Sequence, residues 1–537
     1  MTAGGTADRP PVGLPVVVVG AGPTGLTAAL LLAVAGMPVV LLERHRGAYP
    51  QPRAVHLDDE VHRVLQRAGV AEAFAAFTRP AAGLRLLDGR HRTIAQFDRG
   101  TSAGPHGFAQ ATLFDQPDLE QVLREQLRAH PQVRLREQVE VLDVEGAPTY
   151  AAPVLVLEDL RTGERERLPA AAVLGCDGAR SRLRTVVGAG FEDLGFEERW
   201  LVVDARCREP LAAWGGVHQV CDARRAATFM QVGPDRYRWE FQLRADESAA
   251  QLAAPARLAE LVRPWAGDRE LEVLRRGDYT FRARLADRWQ RGRLFLLGDA
   301  AHLTPPFVGQ GLGAGQRDAA NLSWKLAAVL SGRAPERLLA TYELERRPHA
   351  RAMIRLAVTA GWAMTGGQGP AALVRRCALG ALFRVPGLPQ VLIDRGSPPL
   401  VRGPLVRRPR TARRSLVGRL APQPRVVRGG RAVLLDELLG PGFAVVTVVA
   451  PDADLERLAD RLDARVVRLD SLPGAGPLRD WLARGRASTA VLRPDRTVLL
   501  TARSPTAPGA ELQRAAAVLR LVAATQPAAE PAVTTRG

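Results

Sequence analysis

The chain opens with a switch of hydrophobic period. Residues 15–19 are a proline and four valines, a β-branched run of the kind that forms a buried parallel strand. Gly20-Ala21-Gly22-Pro23-Thr24-Gly25 follows, and residues 26–35, rich in Ala and Leu, predict a helix that stops at Gly36. Residues 38–42 predict a second strand, closed by Glu43. Further on, apolar runs at 170–174 and 294–297 read as two more buried strands. Residues 84–88 and 91–97 flank Asp88-Gly89, a hairpin signal. Residues 199–206, 217–221, 226–232 and 236–243 alternate, which predicts an antiparallel sheet. Its strands carry Phe229, Trp239 and Phe241 with His218 and Gln219, as core or as one face over a ligand. Residues 338–348 read as a helix ending at Arg347-Pro348. Near the C-terminus, 443–449, 465–469, 489–492 and 497–501 read as strands, with a helix over 454–462.

The uncharged stretch 14–42 is long enough for a membrane helix, and Ala33-Val34-Ala35 resembles a signal-peptidase site. Gly20, Gly22, Pro23 and Gly25 interrupt it, so a buried strand–helix–strand unit is the expectation, with no membrane association. In that unit Gly20 allows a tight turn, Gly22 lets a pyrophosphate approach the backbone, and Gly25 lets helix and strand pack closely. The helix N-terminus offers unpaired N–H groups to the phosphates. Glu43, 18 residues after Gly25, can bond a ribose hydroxyl. The pattern predicts a dinucleotide site.

Length and apolar content, 537 residues and 46% hydrophobic, support several globular domains and exclude a disordered chain or a small disulfide scaffold. The net charge is +18, yet Lys325 is the only lysine. Such an Arg bias reads as coding bias in a GC-rich genome, or else as a basic surface for anionic partners. No nucleic-acid partner is expected. Cys176, Cys207, Cys221 and Cys377 form no CxxC pair, which predicts reduced thiols in a cytoplasmic protein and no metal site.

A simple dehydrogenase would continue with regular βαβ repeats. This chain instead has a Pro-rich loop, Tyr49-Pro50-Gln51-Pro52-Arg53-Ala54, and two distant motifs: Asp177-Gly178-Ala179-Arg180-Ser181-Arg182-Leu183-Arg184, and Gly298-Asp299-Ala300-Ala301-His302 leading into Pro305-Pro306 and the glycine-rich stretch 309–315. In order and spacing the three fingerprints resemble the FAD-dependent aromatic hydroxylases, the class A flavoprotein monooxygenases, over roughly residues 12–360. Pro52-Arg53-Ala54-Val55 with Asp58-Asp59-Glu60, and Arg236-Tyr237-Arg238-Trp239-Glu240-Phe241, look nearest to the 3-(3-hydroxyphenyl)propionate hydroxylase branch.

The resemblance implies an α/β chain: a Rossmann-like FAD-binding domain (12–75, 112–185, 282–360) with an inserted antiparallel-sheet substrate domain (76–111, 186–281). It implies hydroxylation of a phenol through a flavin C4a-hydroperoxide, with NADPH or NADH and O2 as co-substrates. The alternative is an FAD-dependent oxidoreductase or flavin binder of the same fold without oxygenation. No halogenase-type WxWxIP segment is present, and Lys325 lies in a Trp324-Lys325-Leu326 helix.

Expected FAD contacts are Gly20, Gly22, Gly25, Glu43, Arg44, Asp177, Asp299 and the backbone of Gly309, Gly311, Leu312 and Gly313. Many related sequences carry Asn where this chain has Gly313, so a side-chain amide is missing there. Arg53 resembles the family's loop arginine near the phosphates, or is a surface arginine. Gln116 and Arg124 resemble residues along the flavin chain, although Asp115 or Asp118 also suits a helix start. Arg182 and Arg184 fix their loop, attract nicotinamide phosphates, or simply begin a helix. Pro305 and Pro306 look like the family's flavin-edge prolines, Pro305 counting among the catalytic residues. His218 is the candidate base for phenol deprotonation, the alternative being a core or surface histidine.

Beyond the core, 361–430 is a helical segment and a basic Pro/Arg-rich connector; its part from 396 to 430 has no acid. It is expected to wrap an acidic neighbour. Residues 431–525 resemble the thioredoxin-like C-terminal domain of part of the family, but contain no cysteine. They are expected to be structural, docking on the core or joining a homodimer. The tail after Gln526 reads as disordered.

Overall fold

The computed structural model describes residues 13–48, 54–146, 152–365, 397–400, 403–406, 414–504, 506–513 and 516–522. Arg53, Cys377, much of the connector and the tail after Gln526 lie outside the described residues. The chain divides into two compact units, Met1–Asn321 with Arg346–Pro399, and Leu322–Glu345 with Leu400–Gly537. The second unit therefore takes in a helical piece, Leu322–Glu345, that the sequence assigns to the FAD-binding domain.

In the first unit, strand Val16–Val19 is wholly buried and pairs in parallel with Val39–Glu43 and with Ala172–Gly175. Leu294–Leu296 extends the sheet beyond Ala172–Gly175, and Val133–Glu137 beyond Val39–Glu43. Helix Pro23–Val34 makes the crossover and buries nine of its residues. Apolar on all sides, it must be covered on all sides. Register aligns the carboxyl ends: Val19 sits opposite Gly175, and Gly175 opposite Leu296. Three loops far apart in sequence, starting at Gly20, Cys176 and Leu297, thus leave one edge of one sheet, where doubly wound folds bind ligands.

An eight-stranded sheet forms the other half of this unit. Its order is His302–Leu303, Glu272–Ala286, Phe191–Arg206, Arg236–Gln242, Ala227–Gln231, Val217–Val220, Gly83–Leu87, Thr93–Asp98. It is antiparallel except for the parallel pair Val217–Val220 and Gly83–Leu87. Period-two alternation gives it two faces. One packs Leu201, Val203, Phe229, Trp239 and Phe241 against helices Ala249–Leu252 and Pro255–Ala266. The aromatics Phe229, Trp239 and Phe241 are thus core, and the opposite face is the one that meets a cavity.

Helix Thr341–Thr365 does not stop at Arg347-Pro348 but runs through Pro348. A proline in a helix interior costs about 3 kcal/mol. Burial of Ala350, Met353, Ile354 and Ala357 just beyond it offsets that cost.

In the second unit a four-stranded sheet has the order Arg465–Arg468, Ala444–Thr447, Thr489–Leu492, Val498–Ala502, with only the first pair parallel. Helices Ala453–Leu462 and Gly476–Arg484 accompany it. Lys325 is fully buried here, its Nζ 2.9 Å from Glu345 Oε2, while Glu345 Oε1 accepts from Arg493 at 2.8 Å and Arg493 also pairs with Asp495. Burial lowers the Lys325 pKa to about 8, against the pull of Glu345. Glu345→Ala removes the carboxylate that both buried cations share, leaving Arg493 to Asp495, so it should destabilise this unit by about 3–5 kcal/mol. Lys325→Met leaves the Glu345–Arg493 pair intact and should be near neutral. Denaturant unfolding of the two variants checks the contrast.

Candidate functional site

The six-stranded and eight-stranded sheets of the first unit both border a cavity of about 1270 Å³. At one end lies the glycine turn. Gly20 has φ +102°, and a Cβ there would collide with the carbonyl oxygen of Cys176. A Cβ on Gly25 would collide with the carbonyl oxygen of Gly20, so these two glycines are required for packing. Gly22 differs. It is the N-cap of helix Pro23–Val34 and makes no side-chain cap, and a Cβ on it would meet nothing within 4 Å. The helix N-terminus therefore opens on the cavity with free N–H groups, as an anionic pyrophosphate requires. Thr24 packs against Gly298 and Gly315, bringing the third fingerprint onto the same helix end.

Glu43 lines the cavity and accepts from the Ala21 N–H at 2.8 Å and the His45 N–H at 2.9 Å. Arg44 lines it beside Glu43. Gln116 accepts from the Ala54 N–H at 2.9 Å and donates to Glu120 at 2.8 Å, so it ties down the end of the Pro-rich loop. Arg124 donates to Glu137 at 2.6 Å and to the Gly47 carbonyl at 3.0 Å. Its Nε is buried without a partner among the described residues, a donor suited to a bound phosphate or hydroxyl. An open glycine face, an uncapped helix end, a carboxylate at the second strand and this unpartnered donor all fit a dinucleotide such as FAD.

The second fingerprint works chiefly as a brace. Asp177 accepts from Ser181 Oγ at 2.6 Å and from the Leu183 N–H at 3.0 Å, and so holds Ser181, the N-cap of helix Arg182–Val187. Burial nonetheless raises its pKa. Arg182 donates to the carbonyls of Val141 and Leu142 at 3.2 and 3.1 Å. Arg184 donates to those of Ala300 and Ala179 and stacks on Phe191. Both arginines thus help to fix their loop, and Arg182 also lines the cavity.

Asp299 lines the cavity on the turn Gly298–Ala300. What holds that turn is not legible in the sequence. Asp318, fully buried, accepts from the Gly298 N–H at 3.0 Å, pairs with His302 Nε2 at 2.8 Å and with Arg346 Nε at 2.8 Å. Gly309, Gly311 and Leu312 line the cavity, with Gly309 in the left-handed region and a Cβ there 2.6 Å from His56 Nδ1. Gly25 and Gly313 do not line it. A Cβ on Gly313 would lie 2.9 Å from Arg317 Nη1 and 3.1 Å from Val61. Arg317, held by Asp58 and Glu60 at 2.6 Å each, thus fills the place where a larger residue would stand.

Two expectations need correction. Pro305 is buried and does not reach the cavity; Pro306, which opens the helical turn Pro306–Val308, does. His218 also faces away. Its strand neighbours Val217 and Gln219 line the cavity, whereas His218 points into the aromatic core. Its Nε2 lies 3.1 Å from the Trp214 carbonyl, and its Nδ1 accepts from Trp265 Nε1 at 3.4 Å. Burial lowers its pKa, so it is a neutral core histidine with both nitrogens engaged.

Other titratable groups line the cavity that sequence reasoning did not single out. Burial lowers His56 and His106 to about 4. Asp59 is raised to about 7 by burial, and further by Asp58 and Glu60 on either side. The run of three acids was visible in the sequence; its burial was not. Among the described residues no cluster could hold a metal ion, and no helix is long and apolar enough to cross a membrane.

Comparison with known proteins agrees with this geometry. Residues 13–357 match the family model described as an FAD binding domain, and residues 418–517 the HcaD C-terminal domain. The chain is 34% identical to 3-(3-hydroxy-phenyl)propionate/3-hydroxycinnamic acid hydroxylase 2 of Burkholderia vietnamiensis, over 90% of this chain and 92% of that protein. It is 32% identical to a probable NADH-specific resorcinol 4-hydroxylase of Rhodococcus jostii, over 97% of each. Among solved structures, aklavinone-11 hydroxylase in complex with FAD and aklavinone superposes with a TM-score of 0.77 at 25% identity, covering 95% of this chain and 99% of that one.

Proposed function

This chain belongs to the family built on that FAD binding domain and is an FAD-dependent aromatic monooxygenase, and on that premise we propose that it hydroxylates a phenol, with NADH or NADPH and O2 as co-substrates. The observation that carries this reading is the continuous cavity that runs from the glycine turn of the parallel sheet to one face of the antiparallel sheet. Such a cavity has room for a dinucleotide and an aromatic ring in contact.

FAD held there would supply the redox chemistry that links the nicotinamide to O2. The chain supplies position and shelter. Gly20, Gly22 and the helix N-terminus hold the pyrophosphate, and Glu43 with Arg44 the adenosine end. Arg53, Gln116 and Arg124 serve the chain between the two rings. Asp299 accepts from the ribityl hydroxyls, and the backbone of Gly309, Gly311 and Leu312 addresses the pyrimidine edge, where N–H donors stabilise negative charge. Gly25 contributes only by packing, and Asp177 by bracing its loop. Pro306 and Phe307 close the cavity beside the ring and help to exclude water. Asp59 is the group on that wall able to exchange a proton near neutral pH.

We read the second unit as thioredoxin-like. The strand order, with one parallel and two antiparallel pairings, supports this. Residues 431–525 contain no cysteine, so thiol–disulfide exchange is not open to them. The role is structural, in docking or in a homodimer. The free thiols of Cys176 and Cys207 in the first unit support a reducing, cytoplasmic setting.

Purified FAD-loaded protein should oxidise NADH or NADPH slowly alone and at least ~10-fold faster with a suitable phenol. A panel of phenols that leaves the rate unchanged would contradict the reading.

A further inference from the structure

The antiparallel sheet turns one polar rung toward the cavity. Gln219 pairs across strands with Thr228, and Thr228 with Glu240. All three line the cavity, and Leu86 and Val202 continue the rung on either side. Cross-strand neighbours on one face stand close enough to act together. Thr228 Oγ1 donates to Gln219 Oε1 at 3.1 Å, and Gln219 Nε2 is taken up by the carbonyls of Val220 and Ala227. Two members of the rung are therefore fixed by the protein itself.

Glu240 is differently placed. The neighbouring rung carries Arg238, whose guanidinium is committed to Asp204 through bonds of 2.7 and 2.9 Å. Arg238 Nη1 stands 3.9 Å from Glu240 Oε1, beyond hydrogen-bond distance. Burial holds the Glu240 carboxyl above the ordinary range; Arg238 opposes this and Asp204 adds to it. The wall thus carries a buried carboxyl that Arg238 faces at 3.9 Å without hydrogen-bonding to it, the guanidinium being bonded to Asp204. An uncharged hydroxyl or amide can donate to it or accept from it. In its ionised form it would oppose a ligand carboxylate in a desolvated site.

The cavity cations do not reverse this. Arg282 is engaged by Glu197 at 2.7 and 3.2 Å. Arg99, which also lines the cavity and reaches the Gln110 carbonyl at 3.4 Å, is a cation that an anionic substrate could use instead.

We propose that the Gln219–Thr228–Glu240 rung recognises the substrate, and that it selects a phenol bearing a second, uncharged hydrogen-bonding group over one bearing a carboxylate. This rests on the reading of the cavity as a hydroxylase site, and it separates the chain from relatives named for a hydroxyphenyl acid. Specificity of this kind arises from a group set against the wrong ligand as much as from contacts to the right one.

The test uses FAD-loaded full-length protein and a matched pair, 3-(3-hydroxyphenyl)propanamide and the corresponding propanoate. Binding is read from the flavin absorbance change at about pH 8, where the free acid is ionised. The amide should bind at least ~10-fold more tightly. Glu240→Gln should bring the acid to within about 3-fold of the amide, by removing the like charge. Thr228→Val, of similar shape, should weaken the amide by roughly 10-fold while leaving the acid unchanged. The proposal is overturned if the acid binds as tightly as the amide, above all if Arg99→Gln then abolishes that binding, or if neither compound binds. Selective amide binding without any oxygenated product would count against the hydroxylase reading and leave this proposal standing.

Discussion

Replacing Gly22 by tryptophan yields a folded protein that holds no FAD. The reason is local. Gly22 has extended dihedrals, φ −76° and ψ 179°, which any residue adopts, and a Cβ there meets nothing within 4 Å. The backbone accepts the change. The indole then occupies the space before the helix N-terminus, where a pyrophosphate must approach the N–H groups. Affinity for FAD should fall at least ~1000-fold, equivalent to about 4 kcal/mol. Flavin absorbance of the purified protein and reconstitution with FAD give the measurement; far-UV circular dichroism should match the native apoprotein. Gly25→Val is the contrasting variant. Its side chain collides with the Gly20 carbonyl oxygen, so it should lose the fold together with the flavin. Equal flavin content in Gly22→Trp and the native chain would move the cofactor away from this turn.

Asp318→Ala should strongly destabilise the first unit. It removes one carboxylate that serves the Gly298 N–H, His302 and Arg346, all buried. Arg346 keeps only His349 and the Ala314 carbonyl as neutral partners. An uncompensated buried charge costs about 3–5 kcal/mol. The turn bearing Asp299 loosens as well, so flavin retention should weaken alongside. The pH dependence follows from the same groups. Burial disfavours the Asp318 charge, but Arg346 and His302 more than offset this and hold its carboxyl below the usual range. Its contribution is therefore present above the unfolded-state pKa, about 4, and is lost as pH falls through the lower folded value. Denaturant unfolding at neutral pH and near pH 3 should show the gap between native and variant protein narrowing on acidification. A gap that widens would contradict the assignment.

How much of this was legible depends on the range of the interactions. The unit from Val16 to Glu43 is local: a strand, a glycine turn, a helix and a second strand each declare themselves within a few residues. Its partners at Gly175 and Leu296 were legible as apolar runs that end in recognisable loops. The clamps were not. Asp318 meets Arg346 across 28 residues and Arg317 meets Asp58 across 259, and no spacing rule links such pairs. Alternation along residues 217–220 showed that His218 and Gln219 lie on opposite faces; only the packing of Trp265 and Phe229 decides that His218 is the buried one. Pro305 and Pro306 are equivalent in sequence, and a single turn of backbone separates the proline that faces the cavity from the one that does not. Gly313 looked like a missing amide. Arg317, anchored by two distant carboxylates, is what fills its place.

The central claim is that this chain places one oxygen atom from O2 on an aromatic ring. It is tested most directly by supplying isotope-labelled O2 to the FAD-loaded protein with NADH or NADPH and a phenol that accelerates nicotinamide oxidation, then analysing the product by mass spectrometry. The expected result is a hydroxylated phenol carrying one labelled atom, formed in proportion to the nicotinamide consumed. Nicotinamide oxidation that yields only hydrogen peroxide with every accelerating phenol, or a product whose new oxygen comes from water, would contradict it.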